Sequence, residues 1–153
     1  MGPLSGIRVV DLADEKGELC GRMLADLGAE VIRVEPPEGA ISRTLGPFAP
    51  DGSSLYFAVR NMGKRGVVID LETEAGRKRL EALVADADLL VESSHPGTQK
   101  RLGIDAETLR ARHPELVVTS IRDVGHDGPY ADYPGTKMVR VAVGGLPPRA
   151  GLA

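Results

Sequence analysis

At 153 residues, 42% apolar and 27% charged, with a net charge of −3, the sequence has the size and composition of one soluble globular domain. That balance offers no basic surplus for a nucleic-acid partner, and no apolar run approaches the ~20 residues of a membrane span. The start, "MGPLSGIRVVDL", lacks a basic region followed by a long apolar stretch, so no signal peptide is expected. The single Cys20 excludes an internal disulfide and suits a reducing cytoplasm.

The first element is "IRVVDL", Ile7 to Leu12, a compact apolar run ending in Asp that reads as a buried parallel strand. A helix follows from Glu15 to Leu27, with Leu19, Met23, Leu24 and Leu27 at helical spacing and Gly28 as its stop. "EVIRVE" is the second strand, ended by Pro36-Pro37 because proline cannot donate to a ladder. Residues 38–53 read as an irregular loop rich in Gly, Pro and Ser, and "SSLYFAVRN" as a short helix opened by a serine cap. "GVVIDL" is the third strand and "ETEAGRKRLEALVADA" the clearest helix, with Ala75, Leu80, Leu83 and Val84 on one face. "DLLVES" is strand four. A short helix ending at Gly103 and a second capped by Asp105 precede strand five, "LVVTSI".

This alternation predicts an α/β fold, a Rossmann-like doubly wound and mostly parallel sheet over residues 1–125. Ligands of such sheets bind beyond the carboxyl ends of the strands, here Asp11, Glu35, Asp70, Glu92-Ser93 and Arg122-Asp123. Residues 126–153 form a Gly/Pro-rich tail that closes no further βα unit, so the chain reads as part of a longer protein.

No metal constellation stands out, because the three histidines (95, 113 and 126) and Cys20 lack ligand spacing. The glycine fingerprint of dinucleotide folds is missing after strand one, where the sequence is "LADEKGELCG", so NAD binding is disfavoured. Glu35 suits either a ribose hydroxyl or the capping of the loop behind it. Asp11 reads as a strand-end hydrogen-bond acceptor, Cys20 as a buried structural thiol, and Lys64-Arg65 as a solvated basic turn.

The most specific signal is a series of segments in order: "LSGIRVVDL", "LADLGAEVIRVEPPEG", "SLYFAVRNMGKRGVVIDLETEAGRKRLEALVADADLLVES", "PGTQKRLGI", "HPELVVTSI" and "GHDGPYADYPG". Together they resemble the N-terminal part of the family III CoA-transferases, the CaiB/BaiF family, which also includes α-methylacyl-CoA racemases. The resemblance implies coenzyme A or acyl-CoA as ligand, a carboxylic acid as co-substrate, a homodimer or pairing with the rest of the family fold, and no metal. It also implies nucleophilic catalysis by an aspartate that forms an acyl-enzyme anhydride. By register that aspartate lies beyond residue 153, which leaves no catalytic residue in this chain.

Carried over by position, the cofactor-lining residues are Glu15, Lys16, Gly17, Pro37, Ile69, Asp70, Leu71, Glu72, Ser93, Ser94, His95 and Arg101, with Arg101 on a phosphate. Three places depart from the family. "DEKGELCG" puts charge where small residues are usual, "VES" replaces Val-Glu-Asn, and Thr136-Lys137 follow "YPG". A racemase needs a histidine at that last place as its base, so a transferase lineage is favoured over a racemase-like isomerase. The charged cleft, with Glu15, Lys16 and Glu18, also suits a non-catalytic CoA-binding or structural module that pairs with an active half.

Overall fold

Five short strands hydrogen-bond side by side, all parallel, in the computed structural model, which describes residues 2–125, 128–130, 135, 139, 141, 142, 144 and 145. In chain order the elements are β1 (Arg8–Asp11), α1 (Glu18–Asp26), β2 (Glu30–Glu35), a 3-10 turn (Ile41–Thr44), α2 (Leu55–Asn61), β3 (Arg65–Val68), α3 (Glu74–Ala85), β4 (Leu89–Glu92), α4 (Pro96–Leu102), α5 (Ala106–Arg112) and β5 (Val117–Ser120). The sheet order is β3-β2-β1-β4-β5, the first five places of the doubly wound order. The chain runs outward from β1 to β3 and then crosses back to β4. The switch point therefore lies between β1 and β4, where Val9, Val10 and Asp11 pair with Leu89, Leu90 and Val91.

Alternate strand residues feed two cores, as burial on both faces requires. Val10, Val34 and Leu90 pack with Leu80 and Val84 of α3 and Leu109 of α5 on one face. Val9, Val31 and Val91 pack with Cys20, Leu24 and Ala25 of α1 on the other. Helix starts follow the expected chemistry. The Ser54 hydroxyl accepts from Phe57 N–H, Thr73 caps Gly76, and Asp105 caps Thr108. Gly28 and Gly103, with φ of +100° and +68°, occupy the left-handed region that ends α1 and α4.

Three expectations are corrected. The stripe of α1 that faces the sheet carries Gly17, Glu18, Gly21 and Leu24, whereas Leu19, Met23 and Leu27 face outward. A Cβ on Gly21 would lie 2.3 Å from Asp11 Oδ2, so only glycine lets α1 lie this close to the end of β1. β3 pairs over Arg65–Val68, earlier than the apolar run suggests, and leaves Ile69 and Asp70 to turn across the sheet edge. The loop 38–53 contains the 3-10 turn.

By Cα packing the chain divides into two units, Met1–Ile121 and Arg122–Ala153. In the second, a Cβ on Gly135 would sit 2.0 Å from Asp123 Cβ, so that approach also needs glycine. The expected strand-end pair Arg122-Asp123 belongs to this second unit. Thr136-Lys137 and His126 lie outside the described residues. Among the described residues, no helix is long and apolar enough to cross a membrane.

Candidate functional site

Beyond the carboxyl ends of β1, β2 and β3 lie two adjoining hollows that share Leu12, Val34, Pro36 and Glu38 as a common wall. One, of about 410 Å³, is lined by Pro37, Ile69, Asp70, Leu71, Glu72 and Ser94. The other, of about 520 Å³, is lined by Ala13, Asp14, Gly39, Ile41, Arg43 and Thr44. Parallel strands end here with outward-pointing turns, which is why the hollows form at this edge.

The turn after β3 is tightly specified. Asp70 Oδ1 accepts from Glu72 N–H at 3.0 Å, and Thr73 Oγ1 donates to the Asp70 carbonyl at 2.8 Å. One nitrogen of Arg77 donates to the carbonyls of Leu71 and Glu72, at 3.0 and 2.9 Å. Arg77 carries no motif that would mark it; α3 brings it under the turn it holds.

Six of the twelve residues expected to line a cofactor cleft thus share one wall: Pro37, Ile69, Asp70, Leu71, Glu72 and Ser94. Arg101 joins them through a bidentate ion pair with Glu72; its second nitrogen lies 2.8 Å from Glu72 Oε1. That pairing holds the Glu72 carboxyl below, and the Arg101 guanidinium above, its ordinary range. Ser93 instead turns to the segment after β1, its hydroxyl accepting from Asp14 N–H at 2.7 Å. His95 caps α4, its Nδ1 accepting from Gly97 N–H.

Glu15, Lys16 and Gly17 line neither hollow. They form the turn into α1, where Lys16 and Gly17 N–H both bond back to Asp14. A Cβ on Gly17 would come within 2.7 Å of Ala13 Cβ, so the turn packs against its own strand end.

Glu35 decides between its two candidate roles. Arg43 engages both of its carboxylate oxygens, at 2.6 and 2.8 Å, and Ala40 N–H adds a third bond at 3.1 Å. Arg43 also stacks on Phe57, 3.7 Å from the ring centroid. Glu35 therefore caps the loop after β2. Its carboxylate is spoken for by the protein, unlike the free strand-end acid of a dinucleotide site.

The Arg43 hydrogen bonds hold the Glu35 carboxyl below its usual 4.5. A lowered folded value means that its contribution is complete above the ordinary value and is lost as pH falls through the folded one. Hydrogen exchange at Ala40 N–H, corrected for intrinsic rate, should lose protection only below about pH 4.5. Glu35→Ala should remove that protection already at neutral pH; protection equal to wild type in Glu35→Ala at about pH 6 excludes the cap.

Behind this edge lies a feature that sequence reasoning missed. The side chain of Lys64, expected in solvent, is buried, and its ammonium donates to Asp11 Oδ2 and the Glu18 carbonyl at 2.7 Å and to Asn61 Oδ1 at 2.8 Å. Glu18, expected in the cleft, is also fully buried, bonded to Arg33 at 2.9 Å and to the Ser42 hydroxyl at 2.6 Å. Arg33 further donates to the Ala13 carbonyl and approaches Asp11 Oδ1 at 3.4 Å. Two acids and two bases cancel, which makes the burial of all four tolerable. Burial pushes the Lys64 amine down, and Asp11 opposes that shift. Asp11 also accepts from Ala13 N–H at 2.9 Å, the strand-end role its sequence suggested. Cys20 is half-buried beside this cluster, and burial raises its thiol above the ordinary value.

Comparison with known proteins adds the relatives. The family description "CoA-transferase family III" matches residues 4–153. A succinyl-CoA:(R)-benzylsuccinate CoA-transferase subunit of Thauera aromatica is 42% identical over 152 residues, covering 97% of this chain and 37% of that protein. A succinate–glutarate CoA-transferase of Agrobacterium fabrum is 41% identical, covering 94% of this chain and 38% of that protein. Among solved structures, a CaiB/BaiF family protein from Brucella suis superimposes with a TM-score of 0.88 at 42% identity, over 94% of this chain and 39% of that one. The chain thus spans well under half the length of the relatives it matches.

Proposed function

Because the chain belongs to CoA-transferase family III, we propose that it is the coenzyme A-binding part of an acyl-CoA:carboxylate CoA-transferase. The observation that carries this reading is the shared wall at the sheet's ligand edge, where Pro37, Ile69 to Glu72 and Ser94 meet and Arg101 stands at the rim. The apolar part of that wall suits a flat base or the pantetheine chain. Carboxylates such as Asp70 can accept from ribose hydroxyls, and Arg101 offers the forked donor that a phosphate needs.

The chemistry of such a transferase is acyl transfer through a carboxylate nucleophile, with an anhydride formed as the thioester bond breaks and the thiolate leaves. The residues of this chain would bind and orient the CoA moiety, and the nucleophile would come from outside residues 1–153. The α1 and α2 faces support a dimer or a pairing with further chain, because Leu19, Met23, Val59 and Met62 stand exposed there. A reducing cytoplasm fits the lone half-buried thiol.

Calorimetry with CoA tests the proposal. Saturable binding is expected, weakened roughly 10- to 100-fold by Arg101→Ala, as loss of a charge-assisted hydrogen-bond pair implies. Heat-silent mixing at millimolar CoA overturns it. Transfer from acyl-CoA donors to carboxylate acceptors should be absent with this chain alone, and robust turnover would contradict the placement of the nucleophile. One observation favours the second reading, a structural module with no ligand. The smaller hollow carries Glu35, Glu38, Asp70 and Glu72 and is lined by no Lys or Arg. Heat-silent mixing at millimolar CoA, with the fold intact by circular dichroism, would support it.

A further inference from the structure

We infer that Glu72 is a built-in competitor for the anion that Arg101 would bind, a carboxylate that must leave the guanidinium fork before a CoA phosphate can dock. The inference rests on the CoA reading above. A bidentate carboxylate presents two oxygens to Arg101 in the same fork geometry that a phosphate uses, so both cannot be held at once.

The surroundings favour exchange. The two side chains are more than half exposed, at 55% and 64%, so the pair is screened and opens at small cost. The backbone of residue 72 is fixed independently of its side chain: its N–H bonds Asp70 and its carbonyl accepts from Arg77. The carboxylate can therefore swing away without the turn unwinding.

Charge is also divided across α4. The hollow on one side is lined by four acids, including Glu72, and no Lys or Arg. The groove of about 400 Å³ between α3, α4 and α5 carries Arg77, Lys78, Lys100, Arg101 and Arg112 against Glu74 and Glu81. An incoming phosphate is drawn to the basic side and meets Glu72 as the nearest opposing charge on Arg101. The predicted consequence is that this carboxylate, although it lines the candidate site, weakens binding there.

The test is calorimetry of CoA against the full 153-residue chain and its Glu72→Gln and Glu74→Gln variants, each checked for native circular dichroism. Glu72→Gln keeps the side-chain volume and frees Arg101, so CoA affinity should rise about two- to fivefold, the worth of an exposed ion pair. Glu74→Gln removes the same charge from the groove that Arg101 lines but breaks only the Lys78 pair, and should change affinity by less than half that factor. A gain in affinity cannot come from damage to the fold, so a merely structural role for Glu72 would not produce it. Unchanged or weaker binding by Glu72→Gln overturns the inference, as does an equal gain in Glu74→Gln. Saturable CoA binding missing from all three proteins overturns the CoA reading itself, and the competition with it.

Discussion

Replacing Lys64 by Met should destabilise the chain by about 3–5 kcal/mol, the largest effect expected of any single conservative substitution here. Methionine matches the length of the lysine stem, so the loss would not come from a cavity. It would come from Asp11, left buried beside a single cation at 3.4 Å, and from the Glu18 carbonyl and Asn61 Oδ1, each deprived of a donor. Thermal melting should fall by roughly 10 °C, at about 2–4 °C per kcal/mol for a chain of this size.

A paired Lys64→Met/Asp11→Asn variant should lose less than the sum of the single losses, because the two residues are one charge interaction. A melting point within about 2 °C of wild type for Lys64→Met would show the cluster to be energetically idle. Asp11 and Arg33 together hold Ala13, which lines the larger hollow beside the wall proposed for CoA.

Gly76→Ala should cost about 1–3 kcal/mol and lower CoA affinity at least tenfold. In an ordinary helix interior the exchange gains up to about 1 kcal/mol, because glycine is the poorer helix former. Here the sign reverses. A Cβ at position 76 would stand 1.8 Å from the Asp70 carbonyl oxygen and 2.6 Å from its carbon, both rigid backbone. The turn of residues 70–72 would have to move outward, breaking the bonds that Thr73 and Arg77 make to it.

Gly97→Ala is the internal contrast. Its Cβ would meet His95 Nδ1 at 3.5 Å, an ordinary contact, and the exchange should be neutral or mildly stabilising. Denaturant melts of both variants, with CoA titrations of Gly76→Ala, decide the matter. A Gly76→Ala protein as stable as wild type would mean that the turn yields freely and does not shape the site.

Both expectations concern features of unequal legibility. The cap at Thr73 lay inside a segment read as helix from Glu72 onward, and only the structure shows the helix starting at Glu74. Of the wall built from Pro37, Ile69 to Glu72 and Ser94, only Asp70 was visible as a strand end, because a parallel sheet directs its strand ends to one edge; the other positions came from the family resemblance. Arg77 and Arg43 were not visible, since each acts on backbone or carboxylate placed beside it only by folding. Helix α1 misled for a definite reason. Its apolar residues Leu19, Met23 and Leu27 recur at helical spacing, but the stripe that meets the sheet is the one with room for it, through Gly17 and Gly21. Periodicity says that a helix has an apolar side and does not say that this side is covered.

What the sequence determined by itself was local: five apolar runs, the prolines and glycines that stop them, and the hydroxyl and carboxylate caps between. These depend on residues a few places apart, where propensity and hydrogen bonding act directly. Only the tertiary structure decided the sheet order, the burial of four charges behind the ligand edge and the pairing of Glu72 with Arg101. Lys64 meets Asp11 across 53 residues and Glu72 meets Arg101 across 29. The fate of a charged side chain follows from the partners and the water around it, and those are set by the fold as a whole.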